Sequence, residues 1–141
     1  MSRIERRRLL VLAGSAWVAS GCEYGSDPAS GIVNGGNVSD LPAGTLRKVE
    51  GQPVAVVRDD TGVYAMTLIC THEECDMSDD DGVSFAGLAC DCHGSRYDAN
   101  GNVLGGPAEE PLEHYQVTID ESGAIAINAD VIVDASQRVP V

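Results

Sequence analysis

The feature that most constrains this 141-residue chain is the crowding of cysteine and histidine into one short segment. Four of its five cysteines and two of its three histidines fall between positions 70 and 93. Thiol and imidazole groups are the side chains that bind soft and borderline transition metals. The segment therefore predicts a metal centre built from two loops. The two runs read Cys70-Thr71-His72-Glu73-Glu74-Cys75 and Cys90-Asp91-Cys92-His93-Gly94-Ser95.

Spacing alone leaves simpler interpretations of this segment open. A structural zinc site would use two thiols and two imidazoles, but it would leave two thiols spare, and Cys-x-His is an awkward spacing for a zinc knuckle. The four cysteines could instead form two disulfides, which would leave both loop histidines without a role. Neither interpretation uses all six side chains.

Short segments of alternating hydrophobicity on both sides of the loops predict an all-β fold. The strand candidates before them are residues 46–50, 53–58 and 63–68, and the candidates after them are the hairpin 115–120 and 123–128 and a last short strand, 131–133. No helix-period run of useful length follows residue 22. We expect a small antiparallel β sandwich or barrel in which residues 70–110 form a loop-built subdomain. His114, just before a predicted strand, is expected at the surface or a sheet edge rather than as a ligand.

The N-terminus has the pattern of a targeting segment. A basic stretch precedes an apolar run over residues 9–19, which is shorter than the roughly 20 residues that a membrane-spanning helix needs. The arginine pair followed by Leu9 and Leu10 resembles a twin-arginine signal. Residues 19–22 look like a lipobox, which predicts lipidation of Cys22; an ordinary signal with an incidental cysteine, or an uncleaved anchor, stays open. We therefore expect a signal peptide over 1–21, a flexible tether over 22–43 and a folded domain over 44–141.

Charge narrows the choice of partners. The formal net charge is −13, and four of the nine basic residues lie in the first eight positions. An acidic domain repels nucleic acid, so we expect no nucleic-acid partner, and it favours basic protein partners.

The two loops resemble the signature of the Rieske iron–sulfur family, which is Cys-x-His, an intervening loop, and Cys-x-x-His. Here 17 residues separate His72 from Cys90. The resemblance implies one [2Fe–2S] cluster on a Rieske-type β fold. By position, Cys70 and Cys90 would bind one iron, and His72 and His93 would bind the other.

The resemblance is strongest to Rieske proteins of cytochrome bc complexes, which read Cys-Thr-His-x-x-Cys and Cys-x-Cys-His-Gly-Ser. In that subgroup the two extra cysteines form a disulfide, which implies a Cys75–Cys92 bridge and an oxidising compartment. The resemblance further implies three groups around the cluster. They are the hydroxyls of Ser95 and Tyr97, which would bond cluster sulfurs and raise the reduction potential, and a covering loop at Gly106 and Pro107.

The implied function is single-electron transfer outside the cytoplasm. The resemblance extends to the small Rieske subunit of arsenite oxidase, so the expected partners are a cytochrome or a larger oxidoreductase subunit, with quinol as a further candidate. We expect a lipid anchor at the outer face of the cytoplasmic membrane or in the periplasm. The alternative is a Rieske ferredoxin that delivers electrons to an oxygenase. The chain has no room for a second domain with a catalytic iron site, so we do not expect it to be an enzyme by itself.

Overall fold

The computed structural model describes residues 25–141, and this part of the chain is built almost entirely from antiparallel strands. A single 3-10 turn, Val38–Asp40, follows the first strand within it. The predicted all-β class is confirmed. The predicted signal peptide and Cys22 lie outside the described residues. The strands are β1 Ile32–Asn37, β2 Thr45–Lys48, β3 Val54–Arg58, β4 Val63–Thr67, β5 Leu88–Ala89, β6 Arg96–Tyr97, β7 Val103–Gly105, β8 His114–Ile119 and β9 Ala124–Val133.

Six strands form the main sheet, a curled antiparallel half-barrel in the order β1-β9-β8-β4-β3-β2. The middle of this sheet is covered on both faces, since every residue of β4 and the first four residues of β3 are buried. This explains why residues 54–57 read as an uninterrupted apolar run instead of alternating. The other three strands form a separate small sheet, β5-β6-β7, inside the loop-rich segment.

The two faces of the main sheet support different parts of the molecule. On one face, Val54 and Val56 pack with Leu41 and Ile127 in a core of the sheet's own residues. On the other face, Ala55, Val57 and Met66 pack against Leu68 and against apolar side chains of the loop-rich segment, which are Met77, Val83, Leu88, Tyr97 and Leu112. The second core fixes the loop-rich segment, called the loop lobe below (residues 69–112), onto the sheet.

The predicted flexible tether over residues 22–43 is wrong in its second half. β1 pairs with β9 in the register Ile32 to Asn128, and Val33 and Leu41 are buried. Glycine is required in this strand, because a Cβ on Gly35 would come within 2.6 Å of a methyl carbon of Ile125. The same glycines and asparagines that suggest a tether thus serve a close strand pairing, and the folded domain begins well before residue 44.

The remaining strand predictions agree with the structure to within one or two residues, with one exception, and the predicted position of His114 is wrong. Residues 131–133 do not form a separate strand but continue β9 beyond a register shift that lies opposite Tyr115 and Gln116. His114 is not at the surface, since it lies in β8 and is only 2% exposed. Across residues 25–141, no helix has the length and apolar character needed to cross a membrane.

Candidate metal centre

The two Cys-His loops share one backbone design. In the first loop, the Cys70 N–H donates to the Cys75 carbonyl at 2.8 Å and the Glu74 N–H donates to the Cys70 carbonyl at 2.9 Å. The corresponding bonds of the second loop run from Cys90 N–H to Ser95 O and from Gly94 N–H to Cys90 O, at 2.8 and 2.9 Å. Both loops place their fifth residue in the left-handed region, with φ of 58° at Glu74 and 79° at Gly94. Each cysteine that opens a loop is thereby held in a tight, hydrogen-bonded turn.

The four cysteines of the lobe divide into two pairs. Cys75 and Cys92 form a disulfide that joins the two loops, which confirms the predicted bridge. Among the described residues, the cysteines outside this disulfide are Cys70 and Cys90, and both are buried. Both side chains belong to the core that joins the loop lobe to the sheet. The structure therefore brings together the two thiols that the sequence assigns to iron.

A tyrosine hydroxyl lies against the Cys70 sulfur. The Tyr97 hydroxyl lies 3.2 Å from Cys70 Sγ and also accepts from the Thr71 N–H at 3.2 Å. Burial, followed by the Cys70 sulfur, raises the pKa of Tyr97 to about 12, so this hydroxyl keeps its proton and can donate it.

The two thiols differ in their response to this environment. Burial by itself would raise the pKa of Cys70, but hydrogen bonds from Tyr97, the His72 backbone, Cys90 and Ser95 lower the pKa on balance. Burial, with the adjacent Cys70 sulfur, raises the pKa of Cys90. A buried sulfur that accepts hydrogen bonds is suited to carry the negative charge of an iron-bound thiolate.

The two loop histidines lie together on the outer side of the lobe. The rings of His72 and His93 meet edge to face, with centroids 4.9 Å apart and an interplanar angle of 79°. His72 Nδ1 is buried and has no hydrogen-bond partner in the structure. Buried polar atoms are nearly always satisfied, so an orphaned imidazole nitrogen beside a second histidine fits a metal ligand.

A third loop is fastened to both Cys-His loops. It contains the Gly106–Pro107 peptide, which is cis, and the Ala108 N–H that follows donates to Ser95 Oγ at 3.0 Å. Further along, the Glu110 carbonyl accepts from Thr71 Oγ1 at 2.7 Å. The segment predicted to cover the cluster is thus anchored to Thr71, next to Cys70, and to Ser95, two residues after His93.

Sequence reasoning missed a buried polar layer beneath the lobe. His114 Nε2 lies 2.8 Å from the Asn100 carbonyl, and its ring stacks on Tyr64 with centroids 5.3 Å apart. The Arg138 guanidinium lies 3.7 Å from the centroid of the same Tyr64 ring and also donates to Asn100 and Asp59. Burial lowers the pKa of His114. A lone histidine at the start of a strand gives no sequence signal of this role, because its partners come from distant segments.

Comparison with known proteins agrees with this geometry. Residues 32–116 match the family model of the Rieske [2Fe-2S] domain. The chain belongs to the Rieske [2Fe–2S] domain family. The predicted family and cofactor are therefore confirmed, since a Rieske domain binds one [2Fe–2S] cluster.

The related sequences include iron-sulfur subunits of cytochrome b6-f complexes. The Rieske domain is 35% identical over 95 residues to the subunit from Chlorobaculum tepidum, covering 66% of this chain and 51% of the relative. It is 38% identical over 74 residues to the subunit from Synechococcus sp. (strain JA-3-3Ab), covering 51% of this chain and 42% of the relative. The chain thus spans about half the length of these subunits, or less.

Two solved structures share the fold. The cyanobacterial plasma membrane Rieske protein from Synechocystis PCC 6803 matches with a TM-score of 0.51 and 30% identity, covering 69% of this chain and 99% of that one. A chain of the complex of reduced oxygenase and oxidized ferredoxin in carbazole 1,9a-dioxygenase matches with a TM-score of 0.52 and 25% identity, covering 72% and 95%. Fold similarity therefore includes both a membrane-associated Rieske protein and a ferredoxin system.

Proposed function

We propose that this Rieske protein is an exported, membrane-anchored carrier of single electrons, acting alone or as the electron-relay subunit of a respiratory-type oxidoreductase. The observation that carries the proposal is a pair of buried thiols, Cys70 and Cys90, in the same two loops whose histidines meet edge to face at the outer side of the lobe. This is the mixed ligand set of a Rieske centre. A bound cluster supplies the one-electron chemistry, and the protein determines its potential and its accessibility.

In this proposal each residue of the lobe has a distinct task. Cys70 and Cys90 would hold one iron of the cluster, and His72 and His93 would hold the other. His93 is exposed, so electrons would enter and leave on the histidine side. The covering loop at Gly106 and Pro107 would exclude water from a third side, and the disulfide would keep the two ligand loops in register.

The potential is expected in the upper part of the Rieske range, which runs roughly from −150 to +300 mV. The contact of the Tyr97 hydroxyl with Cys70 favours the reduced state, because reduction adds negative charge to the sulfurs, and Ser95 is expected to act in the same direction. The acidic surroundings act in the opposite direction, but exposed charges are screened beyond a Debye length of about 10 Å at 0.1 M salt. We therefore expect the sulfur donors to dominate.

The proposed partner is a redox protein with a basic docking face. Residues 70–110 carry ten acidic residues and a single basic one, Arg96. Complementary charge accelerates the encounter of such partners. The relatives named as cytochrome b6-f subunits support a cytochrome or a larger oxidoreductase subunit as this partner, and quinol is a further candidate. We propose no catalytic role for the chain by itself.

Export and anchoring are proposed from the N-terminal sequence together with the disulfide. A structural disulfide favours an oxidising compartment, which agrees with a signal peptide over residues 1–21. Lipidation of Cys22 would hold the domain at the outer face of the cytoplasmic membrane or in the periplasm. Mass spectrometry of the membrane fraction tests this: an acylated N-terminal Cys22 is expected, and an intact N-terminus or an unmodified Cys22 would contradict it.

The second candidate function is a ferredoxin that feeds an oxygenase, which the fold similarity to the carbazole dioxygenase system favours. A low potential would support this function, since a ferredoxin of this kind works at low potential. The loop-joining disulfide and the donors at Cys70 argue for the first function.

Electron paramagnetic resonance of the full chain tests the proposal. We expect a Rieske spectrum on reduction, two irons per chain and a high potential. Cys90→Ser and His93→Ala should abolish the spectrum. The control is His114→Gln, which changes the histidine outside the two loops and should keep the cluster. Zinc instead of iron in folded protein, or a cluster that survives both ligand substitutions, would overturn the assignment.

A further inference from the structure

A carboxylate lies against the proposed outer iron ligands. Glu73 Oε2 is 3.5 Å from His93 Nε2, and the two side chains are 44% and 42% exposed. One carboxylate oxygen of Glu73 and one ring nitrogen of each loop histidine, His72 and His93, all lie within 4.8 Å of one another. Glu73 thus places a negative charge in contact with an imidazole that the proposed function assigns to iron.

The next residue offers an internal comparison. Glu74 carries the same charge, but its backbone is left-handed and its carbonyl accepts from the Ser26 N–H at 2.8 Å. Its carboxylate lies beside Gly25, so close that a Cβ added to Gly25 would be 2.7 Å from Glu74 Oε2. Two adjacent carboxylates of one loop therefore occupy different places, with only that of Glu73 against His93.

We propose that Glu73 is a positioning residue that lowers the reduction potential of the Rieske centre through His93. The inference rests on the proposed function, because it takes His93 as an iron ligand. Reduction adds negative charge next to this imidazole, and a carboxylate 3.5 Å away opposes that addition. The same contact orients the ring, since a carboxylate facing one ring nitrogen leaves the other nitrogen for the metal.

Glu73 would therefore act against Tyr97, whose hydroxyl lies 3.2 Å from the buried Cys70 sulfur and is expected to raise the potential. The cysteine side of the centre thus favours the reduced state, and the histidine side disfavours it. The reduction potential can be changed by substituting Glu73 without disturbing the fold, because this exposed residue belongs to neither hydrophobic core.

The test uses the full-length, cluster-loaded protein and two substitutions that remove the charge, Glu73→Gln and Glu73→Ala. Potentials are measured by redox titration followed by electron paramagnetic resonance at pH 7. Each substitution should change the ratio of oxidised to reduced protein at a given potential about three- to tenfold, which for a one-electron couple is a rise of about 30–60 mV. The matched control, Glu74→Gln, removes the same charge from the same loop and should give less than half of this rise.

A measurement at high salt distinguishes the effect of a carboxylate in contact with His93 from the effect of a more distant negative charge. At 1 M salt the Debye length is about 3 Å, so the shift at Glu73 should shrink but stay larger than the shift at Glu74, because only the Glu73 carboxylate lies against His93. The spectrum should also change for the Glu73 variants and not for Glu74→Gln, because the ring of His93 loses its orienting contact. Equal shifts in all three variants, or no shift at position 73, would overturn the inference. Absence of a Rieske spectrum in the unsubstituted protein would instead overturn the proposed function.

Discussion

Tyr97→Phe tests the link between the geometry of the lobe and the electron affinity of the centre. The substitution removes one oxygen and keeps the ring, which is packed in the core beneath the loops. The lost hydroxyl lies 3.2 Å from Cys70 Sγ, and its proton is available for donation. Reduction makes the sulfurs more negative, so this hydrogen bond is stronger in the reduced state and its loss should lower the potential.

The size of the effect follows from the energy of one hydrogen bond to a charged acceptor. Such a bond contributes about 1.5–3 kcal/mol, and we take the difference between the two redox states as about half of this. A factor of ten corresponds to 1.36 kcal/mol and, for one electron, to 59 mV. The potential of Tyr97→Phe should therefore fall by about 35–65 mV.

The matched control is Tyr64→Phe. Its hydroxyl donates to the Ala99 carbonyl at 2.7 Å and contacts no cysteine, so the same chemical change should cost about 1 kcal/mol of stability without moving the potential. Both variants are titrated by electron paramagnetic resonance under identical conditions. A fall of less than about 15 mV for Tyr97→Phe, or an equal shift in the control, would refute the reasoning.

Three further predictions concern stability. Leu41→Ala removes a fully buried side chain from the core that β1 covers, so the free energy of unfolding measured with urea should fall by about 2–4 kcal/mol. A fall below about 1 kcal/mol would mean that residues before β2 contribute little to stability. Burial lowers the pKa of His114, so the unfolded chain binds its proton more readily and stability should fall as pH drops below the ordinary value of 6.5. His114→Gln should flatten that part of the curve measured between pH 8 and pH 5, and an unchanged slope would contradict this sign. The disulfide links residues 17 positions apart, so the double variant Cys75→Ser, Cys92→Ser should lose about 3 kcal/mol in the same denaturation assay, and an unchanged midpoint would argue that the loops are held by other contacts.

The candidate site was predictable because metal chemistry restricts residue type and spacing. Cysteine and histidine are few in this chain, and six of them fall in two short loops, so the place of a metal centre followed from residue type and spacing. The assignment of Cys70 and Cys90 to iron needed the resemblance to the Rieske signature and stays a prediction. The central strands were predictable for a similar reason. Residues 54–57 and 63–67 are apolar runs bounded by turn residues, and such runs are buried in the middle of a sheet.

Other features depend on partners that lie far away in the sequence. β1 is rich in glycine and asparagine and has no strand pattern, because its stability comes from pairing with β9 and from one close approach at Gly35. The position of His114 depends on Tyr64, Asn100 and Arg138, which come from three separate segments. Local sequence carries no information about such contacts. The contact of Glu73 with His93 belongs to the same class, since it joins two loops.

The two cores imply that stability and redox tuning are separable. Leu41 lies in the core on the face of the sheet opposite the loop lobe, whereas the Tyr97 hydroxyl and Glu73 act on the ligands from within the lobe. Leu41→Ala should therefore lower the unfolding midpoint and leave the potential of the folded protein unchanged. Glu73→Gln should instead raise the potential and leave the unfolding midpoint unchanged, because the exposed side chain of Glu73 buries little apolar surface. If Leu41→Ala moved the potential as far as Tyr97→Phe does, the sheet would have to transmit strain to the loops, and the division of the molecule into a stabilising sheet and a tuning lobe would be wrong.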